Sequence, residues 1–171
     1  MFLWVGLGNP GVKYEKTRHN IGAVVLKQIT HSCEYKFDKI LNSFVSKGMV
    51  QEEKCVYLIP QTFMNLSGDA VSKALRTYQI IPENIVIFHD EIELPPAKIH
   101  YKFGGGHRGH NGLRDIIKKI GTPDFHRICI GVGRPEHENI SVADYVLSDL
   151  PKSDAPLISE VETLLKEKKL L

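Results

Sequence analysis

Three apolar runs in this chain stop in the same way, each in a polar loop that carries an asparagine or an aspartate. Phe2–Leu7 ends in Gly8-Asn9-Pro10-Gly11, Val56–Ile59 in Pro60-Gln61-Thr62-Phe63-Met64-Asn65, and Ile85–Phe88 in His89-Asp90-Glu91. Short runs that stay apolar without alternating read as strands buried on both faces, the condition of parallel strands covered by helices. The chain between them supplies the helices. Ile21, Val24, Val25 and Ile29 recur at helical spacing, as do Leu66, Ala70, Val71, Ala74, Leu75 and Tyr78. Leu113, Ile116, Ile117 and Ile120 make a third stripe, and Leu157, Val161, Leu164 and Leu165 a last one. Ser43–Val50 and Cys55–Ile59 read as strands parted by the polar turn Gln51–Lys54, Lys98–Phe103 as another, and Ile128, Ile130 and Val132 alternate as a half-buried strand does. The pattern predicts an α/β fold: one three-layer α/β/α domain over residues 1–171 with a mixed, mostly parallel sheet and a C-terminal helix from about residue 153.

Composition narrows the class further. With 42% hydrophobic and 25% charged residues the chain reads as soluble and globular, not disordered. No apolar run approaches the roughly 20 residues of a membrane span. The apolar start, Met1–Leu7, lacks the basic leader and cleavage site of a signal peptide. Cys33, Cys55 and Cys129 lie far apart without metal spacing, which suggests reduced thiols and a cytoplasmic location. A net charge of +2 decides nothing, but Lys98, Lys102, Arg108, Arg114, Lys118 and Lys119 cluster with only Asp115 against them. Such a stretch suits a phosphate backbone, and equally a solvated face.

In an open α/β sheet the carboxyl ends of parallel strands share one edge, and ligands bind there. Asn9, Asn65 and Asp90 are therefore candidates to meet in one crevice. A fourth loop, Gly104 to Gly112, is rich in glycine and opens a helix, so its N–H groups could face an anion or a carbonyl. Each loop alone could be mere turn chemistry; four together point to a site. His19 stands just ahead of the first helical stripe, off its apolar face, and Asp90 is a natural partner to orient it. No Gly-x-Ser-x-Gly elbow supplies a nucleophile, and Ser67 reads as a helix start. The base would then activate water directly, which suits an ester better than an amide.

The residues carry a resemblance. Gly6-Leu7-Gly8-Asn9-Pro10-Gly11 with Tyr14 and Thr17-Arg18-His19-Asn20, then Pro60 through Gly68, then His89-Asp90-Glu91 with Gly104 through Leu113, and Gly131-Val132-Gly133-Arg134-Pro135 resemble, in order and spacing, the signatures of bacterial-type peptidyl-tRNA hydrolases. The likeness runs from Phe2 to about Pro151. It implies a metal-free esterase without cofactor that releases peptide and tRNA from peptidyl-tRNA, acting in the cytoplasm as a monomer with no obligate protein partner. It implies His19 as the base, Asp90 as its orienter and Asn9 beside the scissile ester. It further implies that Tyr14, Met64, Asn65 and Asn111 bind substrate, with Lys102, Arg108 and Arg127 as contacts to tRNA phosphate. Side-chain amides match a peptide's N–H and C=O, which a free aminoacyl group lacks. The chain departs from the family pattern at Glu93, where Asp is common, at Ala97 for Gly, His100 for Lys, and Cys129 for an Arg that works with Lys102 on the 5′-phosphate.

Other readings remain. Gly6-x-Gly8-x-x-Gly11 fits a dinucleotide fingerprint, but Val12–Arg18 is polar and aperiodic where a helix should begin at once. An RNA-binding module without chemistry would suit the basic stretch but not a His–Asp pair among three asparagines. A zinc site at His107 and His110 is disfavoured by the glycines around them. Two further expectations follow. Asp90→Asn should cost less than loss of His19. Cys129 is either half of a phosphate clamp, completed by Arg127 from the same strand face, or simply a buried thiol.

Overall fold

The computed structural model describes residues 1–171, and its strands in chain order are β1 (Phe2–Gly6), β2 (Lys36–Asp38), β3 (Ser43–Val50), β4 (Glu53–Pro60), β5 (Ile85–Glu91), β6 (Ile99–Phe103) and β7 (His126–Gly131). They form one sheet in the order β2-β3-β4-β1-β5-β7-β6. The four middle strands are parallel: β1 pairs with β4 and β5, and β5 with β7. The outer strands β2, β3 and β6 run antiparallel to their neighbours. The mixed, mostly parallel sheet of the sequence reading is what forms, because the runs around Val5, Leu58 and Ile87 are apolar on both faces and need cover on both.

The helices are α1 (Ile21–Ile29), α2 (Ser67–Tyr78), α3 (Asn111–Ile120), α4 (Val142–Val146) and α5 (Ile158–Glu167). Two apolar clusters separate them into layers. One, with Trp4, Leu26, Phe88, Ile128 and Leu165, lies under α1 and α5. The other, with Val5, Leu58, Val71, Ile87 and Ile116, lies under α2 and α3. The alternation along β1 sends Trp4 to the first cluster and Val5 to the second, as a strand buried on both faces requires. No helix is long and apolar enough to cross a membrane.

Three elements differ from the sequence reading. β2 is three residues at the sheet edge, with Lys36 and Phe37 exposed, too short to signal itself. α4 spans five residues behind a Ser141 cap on Asp144 N. The last helix begins at Ile158, because residues 152–154 form a separate 3-10 turn and Pro156 intervenes. The β3–β4 hairpin turns on Gln51 and Glu52, at φ 49° and 66°, the left-handed pair of a type I′ turn without its usual Asn or Gly.

One close approach places the site. A Cβ at Gly22 would sit 2.0 Å from the Phe88 carbonyl oxygen. Only glycine lets α1 lie directly on the end of β5. That contact carries the residues just ahead of α1, His19 among them, over Asp90.

Candidate active site

Asp90 ends β5 with a side chain 2% exposed, and two imidazoles meet it. His19 Nδ1 lies 2.8 Å from Asp90 Oδ2 and 3.0 Å from Oδ1. His110 Nε2 lies 2.8 Å from Oδ1. The two rings stand 5.0 Å apart. Burial pulls the Asp90 carboxyl up, but His110 and His19 outweigh it and hold its pKa well below the usual carboxylate range. A carboxylate only accepts, so both facing ring nitrogens must donate.

His110 has no choice in this. It caps α3, and its Nδ1 accepts from Gly112 N at 3.1 Å and Leu113 N at 3.2 Å. With Nδ1 accepting, the ring proton belongs on Nε2, which points at Asp90. The start of α3 thus fixes the tautomer of His110, which fixes one side of Asp90 and leaves the other for His19. His19 donates from Nδ1 and keeps its lone pair on Nε2, the form a general base needs. The pairing of His19 with Asp90 was legible from sequence; the part of His110 was not. Its signal lay in a His ahead of Asn-Gly-Leu at a helix start, an unusual cap.

Asn9 follows β1 and is held at both ends. Its backbone N–H donates to Asn20 Oδ1 at 2.9 Å, and its carbonyl accepts from Asn20 Nδ2 at 2.9 Å. Its Oδ1 accepts from Met64 N at 2.7 Å. The Asn9 amide is therefore oriented, and its NH2 remains for a ligand. Asn20 is a second residue the sequence reading quoted without assigning a task. Met64 is 4% exposed, and a Cβ at Gly112 would come within 2.6 Å of its sulfur. That contact joins the loop after β4 to the start of α3, with the exposed Asn65 and Asn111 on either side of it. Tyr14 is half-buried and meets Phe63 edge-on at 6.5 Å. Asn9 is thus tied to Met64, whose sulfur lies against the start of α3.

The His–Asp group opens into a cavity of about 380 Å³, lined by His19, Asp90, His110, Lys102, Arg108 and Arg127 among others. Lys102 is half-buried there and Arg108 exposed, whereas Arg127 is buried. It is 2% exposed, and its guanidinium donates to the carbonyls of Gly106 and Gly105 at 2.7 and 2.5 Å. Burial and these two bonds weigh against the expected contact of Arg127 with phosphate. Cys129 is 3% exposed, with burial pushing its thiol up to about 11. It is the buried thiol of the two alternatives.

His89 is the remaining titratable group here. Its Nδ1 lies 2.8 Å from the Asp90 carbonyl and must donate to it, so its Nε2 faces Cys129 Sγ at 3.5 Å as an acceptor. Burial, with His110 adding to it, lowers its pKa to about 3. The unfolded chain takes up this proton below about pH 6.5, the fold only near 3, so stability falls as pH drops through that window. Asp90 adds its own loss only below about pH 4. Between pH 7 and pH 5 His89 is expected to cost the fold about 2 kcal/mol, read from urea midpoints at the two values. His89→Gln should flatten that slope; an unchanged slope would clear His89.

His19 Nδ1, an Asp90 oxygen and His110 Nε2 all lie within 4.8 Å of one another, the spacing of a metal site. Both ring nitrogens, however, carry the protons they give to Asp90, so neither offers a lone pair. His107 is turned to its own loop, accepting from Gly109 N at 3.0 Å. The glycines after β1 lead into 3-10 turns at Val12–Tyr14 and Arg18–Asn20, and α1 starts only at Ile21. The helix does not begin at once after the glycines, and its Ala23 N–H is taken by Leu7 O at 3.1 Å, which disfavours the dinucleotide reading.

Residues 3–169 match the family model described as peptidyl-tRNA hydrolase. A relative of that name from a Ruegeria species is 49% identical over 157 residues, 90% of this chain and 62% of its own length. One from Dichelobacter nodosus is 45% identical, with 95% and 83% covered. The crystal structure of peptidyl-tRNA hydrolase from Acinetobacter baumannii superposes with a TM-score of 0.89 at 40% identity, covering 100% of this chain and 88% of that one. The chain thus spans a little under two thirds of the Ruegeria relative and most of the others.

Proposed function

The chain belongs to the peptidyl-tRNA hydrolase family, and from that premise we propose that it cleaves the ester between peptide and tRNA with water activated at His19. The observation that carries the reading is the relay from the α3 N-terminus through His110 and Asp90 to His19, which has neither a serine nor a cysteine nucleophile in it. Water loses a proton to His19 Nε2 as its oxygen attacks the ester carbonyl. Asp90 stabilises the imidazolium. The tetrahedral intermediate collapses, the ribose oxygen leaves with the proton returned by His19, and the products are a tRNA hydroxyl and a peptide carboxylic acid, which gives its proton to solvent to become a carboxylate. The oriented NH2 of Asn9 polarises the carbonyl. Asn65 and Asn111 bind the peptide backbone or terminal ribose, Met64 packs on the reacting centre, and Tyr14 closes the peptide side. Lys102 and Arg108 meet tRNA phosphate. The reaction needs no cofactor, and its setting is the cytoplasm, with the chain acting as a monomer.

The test is hydrolysis of N-acetylated against free aminoacyl-tRNA, with chelator present and across a range of salt. The blocked substrate should be cleaved and the free one spared by a large factor, since a site built to bond a group rejects what lacks it by about 10⁴ in good cases. Affinity should fall with salt through released counterions, with saturated turnover nearly constant. Equal cleavage of both substrates, or a chelator-sensitive rate, would overturn the reading.

A further inference from the structure

Arg127 is a buried cation whose place needs a reason. It sits on β7 opposite Lys102 of β6, another cation, and none of its hydrogen bonds goes to a carboxylate. Its partners are two carbonyls of the Gly-rich loop, and its guanidinium lies 4.8 Å from the Phe125 ring centroid. A residue kept only to fill the core would be apolar there, since burial of an unpaired charge is costly.

The loop explains the choice. From Gly104 to His110 the chain turns from the end of β6 to the head of α3, with left-handed residues at Gly104, Gly105, Arg108 and Gly109. Gly104 N donates to Phe125 O at 3.0 Å, and the guanidinium takes the next two carbonyls. These bonds pin the first half of the loop to β7. Residues 107–109 hold only each other and His110, through His110 N to His107 O and Gly109 N to His107 Nδ1. His110 follows, with Asp90 on one ring nitrogen and α3 on the other.

Gly105 and Gly106 are exposed, so water could satisfy their carbonyls if the guanidinium were gone. Removing Arg127 would therefore free the loop instead of stranding its carbonyls. The glycines that shape it would then allow many conformations.

We propose that Arg127 is a positioning residue for the reaction: its grip on the Gly105 and Gly106 carbonyls fixes the loop that sets His110 against Asp90, and through Asp90 orients His19. The inference rests on the proposed role of the His110–Asp90–His19 relay. It assigns Arg127 to catalysis through geometry and takes it away from tRNA binding.

A double-mutant cycle tests it with N-acetylated aminoacyl-tRNA as substrate: Arg127→Met, His110→Ala and the pair, each with melting temperature. Arg127→Met keeps the length and apolar bulk of the stem. It should lower kcat by about 10-fold, the scale of a modest misplacement of reacting groups, with KM within about 2-fold. In the His110→Ala background the same change should cost nothing more, because its route of action is already gone. A full, independent loss in the pair overturns the proposal, as does a loss confined to KM. A slow His110→Ala beside a fully active Arg127→Met sinks the Arg127 inference alone. A fully active His110→Ala sinks the relay and the inference with it. Should Arg127→Met fail to fold, Arg127→Lys is read by proton NMR. The downfield His110 Nε2–H signal should broaden while the His19 Nδ1–H signal persists. Both staying sharp in a slow enzyme would overturn the assignment.

Discussion

His19→Ala is expected to lower kcat by about 10² to 10⁴-fold, the range a positioned general base contributes, with little change in melting temperature. The stability half follows from the second imidazole. Removing His19 takes one donor from the buried Asp90 carboxylate, and that would ordinarily strand a charge. Here His110 still donates to Oδ1 at 2.8 Å, and its own tautomer is held by α3, so the carboxylate keeps a fixed partner. His19 also belongs to a short turn ahead of α1, not to the apolar face that packs on the sheet. The activity half follows because the Nε2 lone pair has no substitute: His110 directs Nε2 at Asp90 and Nδ1 at the backbone. KM should hold, since the amides and cations that would bind substrate lie elsewhere. Rates and thermal melts of the purified variant decide it. Near-normal hydrolysis would remove His19 as the base, and a collapse of stability would show it to be structural.

What was legible in the sequence follows physical lines. The parallel strands announced themselves because burial on both faces forces unbroken apolar runs. Their carboxyl ends therefore singled out Asn9, Asn65 and Asp90 as candidates, and the structure sets Asp90 against His19. β2 and α4 were silent because three or five residues at an edge need no periodic pattern. From the sequence His110 is named only as a disfavoured zinc ligand, because its task depends on which helix it caps and which strand end lies opposite. Arg127 was given the right face of β7 by alternation, but alternation cannot say whether a face is wet. Ala97 sits at φ 66°, a left-handed position where an L side chain costs about 1 kcal/mol or more, which fits the Gly that the resemblance leads one to expect there.

Asp90→Asn is the second large effect, and the structure changes its expected size. From the sequence, with one imidazole in view, the loss of charge alone should cost less than losing the base. With two imidazoles the amide must also choose. Both His19 Nδ1 and His110 Nε2 present a proton to Asp90, and an asparagine offers one oxygen and one NH2. If the NH2 faced His110, that ring would need its proton on Nδ1, directly against the N–H groups of Gly112 and Leu113 at 3.1 and 3.2 Å. His110 therefore takes the oxygen, and the NH2 falls to His19. There it meets Nδ1 at the 2.8 Å position and forces the proton to Nε2. The base would carry a proton where it needs a lone pair, in a fold otherwise intact. The expected loss is about 10³ to 10⁴-fold in kcat, the scale of a triad aspartate changed to asparagine, and so comparable to His19→Ala. ¹⁵N NMR of the imidazoles in Asp90→Asn should show His19 as the Nε2–H tautomer and His110 unchanged. An Asp90→Asn enzyme within tenfold of the natural rate, or one whose His19 keeps its proton on Nδ1, would break the link from helix cap to base.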